Sequence, residues 1–373
     1  MQSDSIVYKF YYQWWKNIDK SIFLLISLLF IIGLFFSLVS TSLIASDKLD
    51  TNSYFFFFKH LIYVLIGISL IFIFSSLNSD QLYKYSIFLF FISLISLFLV
   101  PFIGVEVKGS KRWIDLFFLP RFQPIEVLKP FLIIILATIL CDIKSNILFK
   151  YLISIFLISV ISLLLIAQPD IGQTLLVVFC WAVLIFTSGI NIYILLAIFI
   201  AGASLLTYLI IYVPRFDYIQ GRIFSFFNRE TGTHNFQSDK AIESITSGGF
   251  FGKGIGEGVL KNRVPEAHTD YIISVISEEF GVVAIMLILL LFLILIYMVF
   301  KKISFETNDK AKLILIGSIS LILMQATIHI GVNIRLFPTT GMTLPFLSYG
   351  GSSIISTSIL AGIILNLTKR KIT

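Results

Sequence analysis

The sequence predicts an all-α polytopic integral membrane protein with about ten transmembrane helices, and three observations predict it. Hydrophobic residues make up 57% of the 373-residue chain and charged residues only 13%, roughly half the charged share of an ordinary soluble domain. A chain this poor in charge cannot cover a water-facing surface, so lipid must cover it. The apolar residues gather into runs near 21–45, 55–77, 85–104, 123–141, 151–168, 172–188, 191–213, 271–300, 313–335 and 346–367, each close to the roughly 20 residues that cross a bilayer. Most basic residues flank these runs, as topology signals do. The net charge of +7 therefore argues for a membrane and against a nucleic-acid partner.

The first run, from Ser21, is too long for the core of a signal peptide and no small-residue cleavage site follows it, so it is read as a retained span. The fourth opens with Gln123-Pro124, and proline suits a first helical turn, where its missing N–H costs nothing. Glu126 and Lys129 interrupt that run. The fifth and sixth are joined by Gln168-Pro169-Asp170-Ile171-Gly172-Gln173, a tight turn in which Asp170 suits a helix cap better than catalysis. Residues 337–353, with two prolines and three glycines, precede and open the tenth. Irregular backbone at membrane depth is tolerated only where protein or a water-filled cavity satisfies it. A cavity lined by the fourth, eighth and tenth spans is therefore expected. Cys141 and Cys180 lie in or at the end of apolar runs, which argues against a disulfide or a metal cluster.

Lys and Arg are concentrated in the segments that lie inside if the N-terminus is cytoplasmic, which places both termini, 1–20 and 368–373, in the cytoplasm. The chain then forms one membrane domain, 1–373, with a long external segment, 214–270, between the seventh and eighth spans. A connection this long is functional or disordered. Its balanced charges and embedded Phe224, Phe226, Phe227, Phe236, Phe250 and Phe251 favour an ordered cap against the bilayer. The Gly-rich stretch 247–258 within it has no preceding strand, so a dinucleotide loop is excluded, and it reads as backbone bending closely around a neighbour.

Ionisable groups at membrane depth are expensive and are functional candidates by default. Glu126 and Lys129 are three residues apart and share one helix face; they read as a functional pair or as a structural ion pair. Lys108-Gly109-Ser110-Lys111-Arg112-Trp113, with Arg121, makes an external cationic cluster. It reads as a phosphate site, with the planar fork of Arg112 as the best donor, or as general attraction to anionic lipid. Asp270, at the end of Val264–Asp270 and just before the eighth span, reads as a carboxylate kept ionised by the helix dipole or as an N-cap.

At these residues the chain resembles the SEDS family, the shape, elongation, division and sporulation proteins. The blocks are KRWI followed by RFQPIEVLK, then QPDIGQT, SGGFFGKGIGEG, PEAHTDYI with EEFG, and TTGMTLPFLSYGGSS, spanning residues 108–353. The wording at Lys129-Pro130, EAHTD and TTGMTLP is nearer the division member than the elongation member. One departure stands out: Ile125 occupies the place of the family's usual serine, which removes a hydroxyl there but not the helix. The resemblance implies a peptidoglycan glycosyltransferase of the bacterial plasma membrane that polymerises lipid II on the outer face. It puts the family's essential acid on Asp270 and its fourth-helix carboxylate and lysine on Glu126 and Lys129. Gln123, Arg112, His268, Thr269, Ser348 and Gly350 join these two as candidate substrate-binding residues. It also implies a class B penicillin-binding protein as partner, with other division proteins.

The implied reaction joins a sugar 4-hydroxyl to an anomeric carbon that carries a lipid diphosphate. A diphosphate needs its charge neutralised more than it needs a proton, unlike the leaving group of an ordinary glycosidase. One base, Asp270, and cations at the diphosphate (Arg112, Lys129 positioned by Glu126, or a Mg or Mn ion) would suffice. A lipid II flippase, a non-catalytic division scaffold and an elongation role are the competing expectations.

Overall fold

In lipid every backbone N–H and C=O must be satisfied within the segment, so apolar runs become helices. The computed structural model describes residues 2–48, 54–107, 110–116, 119–142, 146–228, 236–260 and 264–369. After α1 (Gln2–Asn17) come ten helices that match the ten expected runs: α2 (Lys20–Lys48), α3 (Phe55–Ser76), α4 (Ser79–Ile103), α5 (Pro124–Leu140), α6 (Ile147–Ala167), α7 (Ile171–Thr187), α8 (Ile192–Tyr212), α11 (Ile272–Phe305), α12 (Asp309–Asn333) and α13 (Gly351–Leu367). Seven are long and apolar enough to cross a bilayer. The other three, α5, α7 and α13, have 17 residues each.

The first and last described segments, α1 and Thr368–Lys369, lie at one end of the bundle. Trp14 Nε1 donates to Ser75 Oγ at 2.7 Å, Lys302 pairs with Asp19 at 2.7 Å, and Lys369 Nζ donates to Leu77 O at 3.0 Å. These contacts gather the starts of α2 and the ends of α3, α11 and α13. We call this the termini end. The segment expected only as a cytoplasmic N-terminus is thus the helix α1, which is seated by Trp14 against Phe23 and Phe72.

The short helices occupy the centre. On α5, residues from Pro124 to Leu140 are mostly buried, and it touches α4, α6, α7, α12 and α13. Seventeen residues rise about 25 Å, less than the ~30 Å hydrocarbon thickness. Their first turns are therefore recessed at the end opposite the termini, and a depression is left above them. By contrast α8 buries only Leu195 and faces lipid almost all round.

Three features at that opposite end depart from a simple helical reading. Three short strands form a small antiparallel sheet, β1 (Val105–Val107), β2 (Ser110–Leu116) and β3 (Leu119–Phe122), in the order β1-β2-β3. Val105 pairs with Trp113 and Ile114 with Phe122, so β-branched and aromatic residues meet across strands. Lys108 and Gly109 of the cationic cluster lie outside the described residues. The segment 214–270 carries a 3-10 turn (Pro214–Phe216), α9 (Asp217–Asn228) and α10 (Phe236–Gly248), so its described part is ordered. Finally, the chain before α13 folds inward. Phe346 (φ 66°) makes an edge contact with Phe30 at 5.3 Å, and a Cβ on Gly33 would come within 2.7 Å of Phe346 O. The buried turn is closed by Leu344 N donating to Ser348 Oγ at 2.8 Å.

The Gly-rich stretch explains itself at a break in α11. Gly281 has φ 74° and ψ −177°, which interrupts the helical ladder. The released carbonyls of Glu278 and Glu279 accept Lys253 N (2.9 Å) and Gly254 N (3.0 Å), while Val282 N and Val283 N donate to Gly249 O (3.0 Å) and Phe250 O (3.3 Å). The loop thus replaces the lost helical bonds, and the neighbour around which it bends is α11. A Cβ on Gly281 would lie 2.1 Å from Phe250 O in a left-handed conformation that L side chains avoid. Gly281→Ala is expected to lower the thermal unfolding temperature in detergent by several degrees, the result of more than ~1 kcal/mol of strain and lost backbone bonding. An unchanged melt would contradict this account of the break.

Candidate functional site

Above the recessed first turns lies a cavity of about 430 Å³, within the usual range for ligand pockets. Its floor is made by the N-termini of α5, α7 and α13, and its wall by the turn before α11, the sheet, α9 and residues 339–343. The N-caps of α5 (Gln123), α13 (Gly350) and α11 (Tyr271) form no side-chain cap bond. Several helix N-termini therefore present N–H groups and the positive end of their dipoles to one space.

Asp270 stands on this wall. Its carbonyl accepts Asn333 Nδ2 at 3.0 Å, and Gly341 (φ 71°) neighbours it, so that a Cβ there would be in ordinary contact with Asp270 Oδ2 at 3.6 Å. The N-cap position belongs to Tyr271, so Asp270 is not the cap of α11 and its carboxylate faces the cavity. Asp170, by contrast, is the cap of α7. It also accepts Gln123 Nε2 at 2.9 Å and pairs with Arg112 at 3.7 Å.

Glu126 and Lys129 form a pair at 2.9 Å on the buried face of α5. Gln173 Nε2 donates to Glu126 Oε1 at 2.6 Å. Lys129 Nζ also donates to Gln173 Oε1 (3.0 Å) and Gln325 Oε1 (3.4 Å), so all three of its donors are used. Gln325 continues the network to Thr343 O and Ser353 Oγ. Glu126 lines the cavity and its Oε2 is buried without a hydrogen bond. Lys129 lies beneath the floor.

Of the residues singled out in the sequence, Arg112, Gln123, Glu126, Thr269, Asp270 and Gly350 meet in this one cavity. Arg112 reaches it from β2 while its fork binds the carbonyls of Gln168 and Pro169. Arg121 lines it too but pairs with exposed Asp115 at 2.9 Å. Three residues sit apart from the cavity wall. Lys129 is below the floor, Ser348 closes its own turn, and the His268 ring packs between Phe56 (4.6 Å) and Tyr349 (5.7 Å). Arg222 of α9, which its sequence context does not single out, also lines the cavity and donates to Thr339 O at 3.0 Å. Its only local signal is a cation set among apolar residues within the cap. Gln173 and Gln325 are not singled out either, since an uncharged carboxamide in an apolar run does not announce a partner. Among the described residues no three His, Cys, Asp or Glu side chains converge as metal ligands.

Burial pushes the His268 imidazole below its usual 6.5, against an opposing pull from Glu266. Native His268 therefore binds fewer protons than unfolded His268 just below pH 6.5. The stability it contributes is present above that value and falls as pH drops through the window beneath it. Thermal unfolding is expected to occur earlier at pH 5.5 than at pH 7.5, and His268→Phe to flatten that difference. An equal pH dependence in the variant would show that the effect arises elsewhere.

Fold and site together define a multi-pass membrane protein whose central helices end in a polar, charged chamber. The FtsW/RodA/SpoVE family model, described as cell cycle protein, matches residues 19–372, and the chain belongs to this family. A probable peptidoglycan glycosyltransferase FtsW of Caulobacter vibrioides is 30% identical over 366 residues, covering 96% of this chain and 91% of the relative. One from Francisella salina is 34% identical over 368 residues, covering 94% and 89%. Among solved structures, a peptidoglycan synthase complex that coordinates polymerization and crosslinking superposes with a TM-score of 0.76 at 25% identity, covering 94% of this chain and 97% of that one. The rod shape determining protein RodA of Thermus thermophilus gives 0.69 at 26% identity, with 94% and 96% covered.

Proposed function

We propose that this protein is a peptidoglycan glycosyltransferase that polymerises lipid II, with Asp270 as general base. One observation carries the reading: Asp270 shares a cavity with Arg112, Arg222 and several uncapped helix N-termini. Asp270 takes the proton of the acceptor 4-hydroxyl as its oxygen bonds to the anomeric carbon of the donor. The bond from that carbon to the diphosphate oxygen breaks, and the diphosphate leaves with the electron pair. Arg222, Arg112 and the N–H groups of the α13 first turn stabilise the negative charge that develops there. Glu126 is assigned to the substrate from the floor through Oε2, and Lys129 to holding Glu126 rather than to the diphosphate. Among the described residues no three metal-ligating side chains converge, so a Mg or Mn ion, if used, would be held by the diphosphate and would help neutralise its charge.

The activity is placed at the outer face of the bacterial plasma membrane, with both termini cytoplasmic. A class B penicillin-binding protein is the proposed crosslinking partner, and division the proposed process. The flippase reading has less support. Below Lys129 the α5 residues Ile133, Leu136 and Ala137 are buried among apolar neighbours, and the cavity at the termini end shares no lining residue with this one. The test is incubation of purified protein, with and without the partner, with lipid II in detergent. Glycan strands are expected, since detergent leaves no second compartment for transport. Absence of strands in both conditions, with lipid II crossing vesicles instead, would overturn the enzyme reading.

A further inference from the structure

We propose that Phe250 and Phe251 insert into the lipid leaflet at the cavity end and anchor the 214–270 cap to it. At about 1.5 Å per residue, α11 rises about 28 Å from Val282 to Lys301, close to the ~30 Å of a hydrocarbon core. Lys301 and Lys302 end its apolar stretch, and Lys302 pairs with Asp19 where α2 begins, so they mark the boundary at the termini end. Val282 then marks the opposite boundary. The hydrogen bonds from Val282 N to Gly249 O and from Val283 N to Phe250 O hold the two phenylalanines at that depth.

Their side chains are 76% and 84% exposed, and Ile255 and Val259 are exposed beside them. Below them Val283, Met286, Leu287 and Leu290 are also exposed on α11, so the patch continues a surface that already faces lipid. The loop is held from within. Glu279 accepts Gly256 N at 2.6 Å, Glu278 accepts Leu260 N at 2.9 Å, and both carboxylates are buried. Lys253 lies beside the pair, 3.6 Å from Glu278. Phe and aliphatic side chains buried at the headgroup–acyl boundary, with a lysine reaching toward the headgroups, are the arrangement of interfacial membrane segments. A preformed loop also loses little conformational freedom on insertion.

The test uses the full chain in lipid nanodiscs, with Cys141→Ser and Cys180→Ser so that one introduced cysteine carries a nitroxide. At Phe251→Cys, collisions with oxygen are expected to exceed those with a water-soluble nickel chelate several-fold, as at Leu290→Cys, while Lys240→Cys gives the reverse order. Dominant collision with the chelate at position 251 would overturn the proposal. So would shielding from both reagents, the signature of a protein partner or a second copy covering the loop. Should the cysteine-free chain fail to assemble, Phe250→Trp in the natural chain replaces it. Lipids brominated near the headgroup are then expected to quench more fluorescence than in the unsubstituted protein, and no additional quenching would overturn the proposal.

Discussion

Asp270→Asn is expected to stop glycan polymerisation while the protein folds and binds lipid II as before. The carboxamide has nearly the same shape, and the bonds of Asp270 N to Glu266 O and of Asn333 Nδ2 to the carbonyl of Asp270 belong to the backbone and survive the substitution. What disappears is the ability to take a proton from the acceptor hydroxyl. General base catalysis contributes roughly 10²–10⁴-fold, so the rate of strand formation should fall by that factor. Asp270→Glu is expected to retain part of the rate, because the carboxylate survives but is displaced. Fluorescent lipid II, separated by chain length on gels, measures the rate, and equilibrium binding of the same substrate measures the ground state. Equal losses of binding and rate would move Asp270 from proton transfer to substrate holding. Full activity in the Asn variant would remove it from the mechanism.

The ten spans were legible because the bilayer imposes one length and one composition on all of them. Even α5 was found, although Glu126 and Lys129 lower its hydropathy, because proline and the apolar residues after Lys129 kept the helical reading intact. Elements at the surface were less legible. The α1 sequence mixes Tyr, Trp, Gln and Lys without a long apolar run, and only contact with Phe23 and Phe72 shows where it sits. The small sheet uses strands of three to seven residues, too short for periodicity to declare. At the site, charge was the readable signal. Asp270, Glu126 and Arg112 stood out because each is costly beside or within lipid. Roles were harder to read than positions. Nothing local to the sequence says that Lys129 lies under Glu126 rather than in the cavity, or that Gln325, far along the chain, meets it there.

That arrangement makes Lys129 the position where a single substitution should cost the most stability. Lys129→Met leaves the buried Glu126 carboxylate without its ion-pair partner, its Oε1 still bound by Gln173. Breaking a buried pair from one side costs about 3–5 kcal/mol, so the melting temperature in detergent should fall by many degrees and much of the protein should fail to assemble. Glu126→Gln/Lys129→Met removes both charges at similar volume. Replacing a buried pair by uncharged groups is often close to neutral, so the double variant should recover most of the lost stability, and the two substitutions should be strongly non-additive. Polymerisation should not recover with it, since the carboxylate oxygen on the cavity floor is gone. This separation of fold from activity distinguishes a lysine that holds Glu126 from one that grips the diphosphate. If Lys129→Met were as stable as the natural chain and lost only activity, the lysine would act on the substrate directly, and the assignment of Glu126 as the group that faces the substrate would fail.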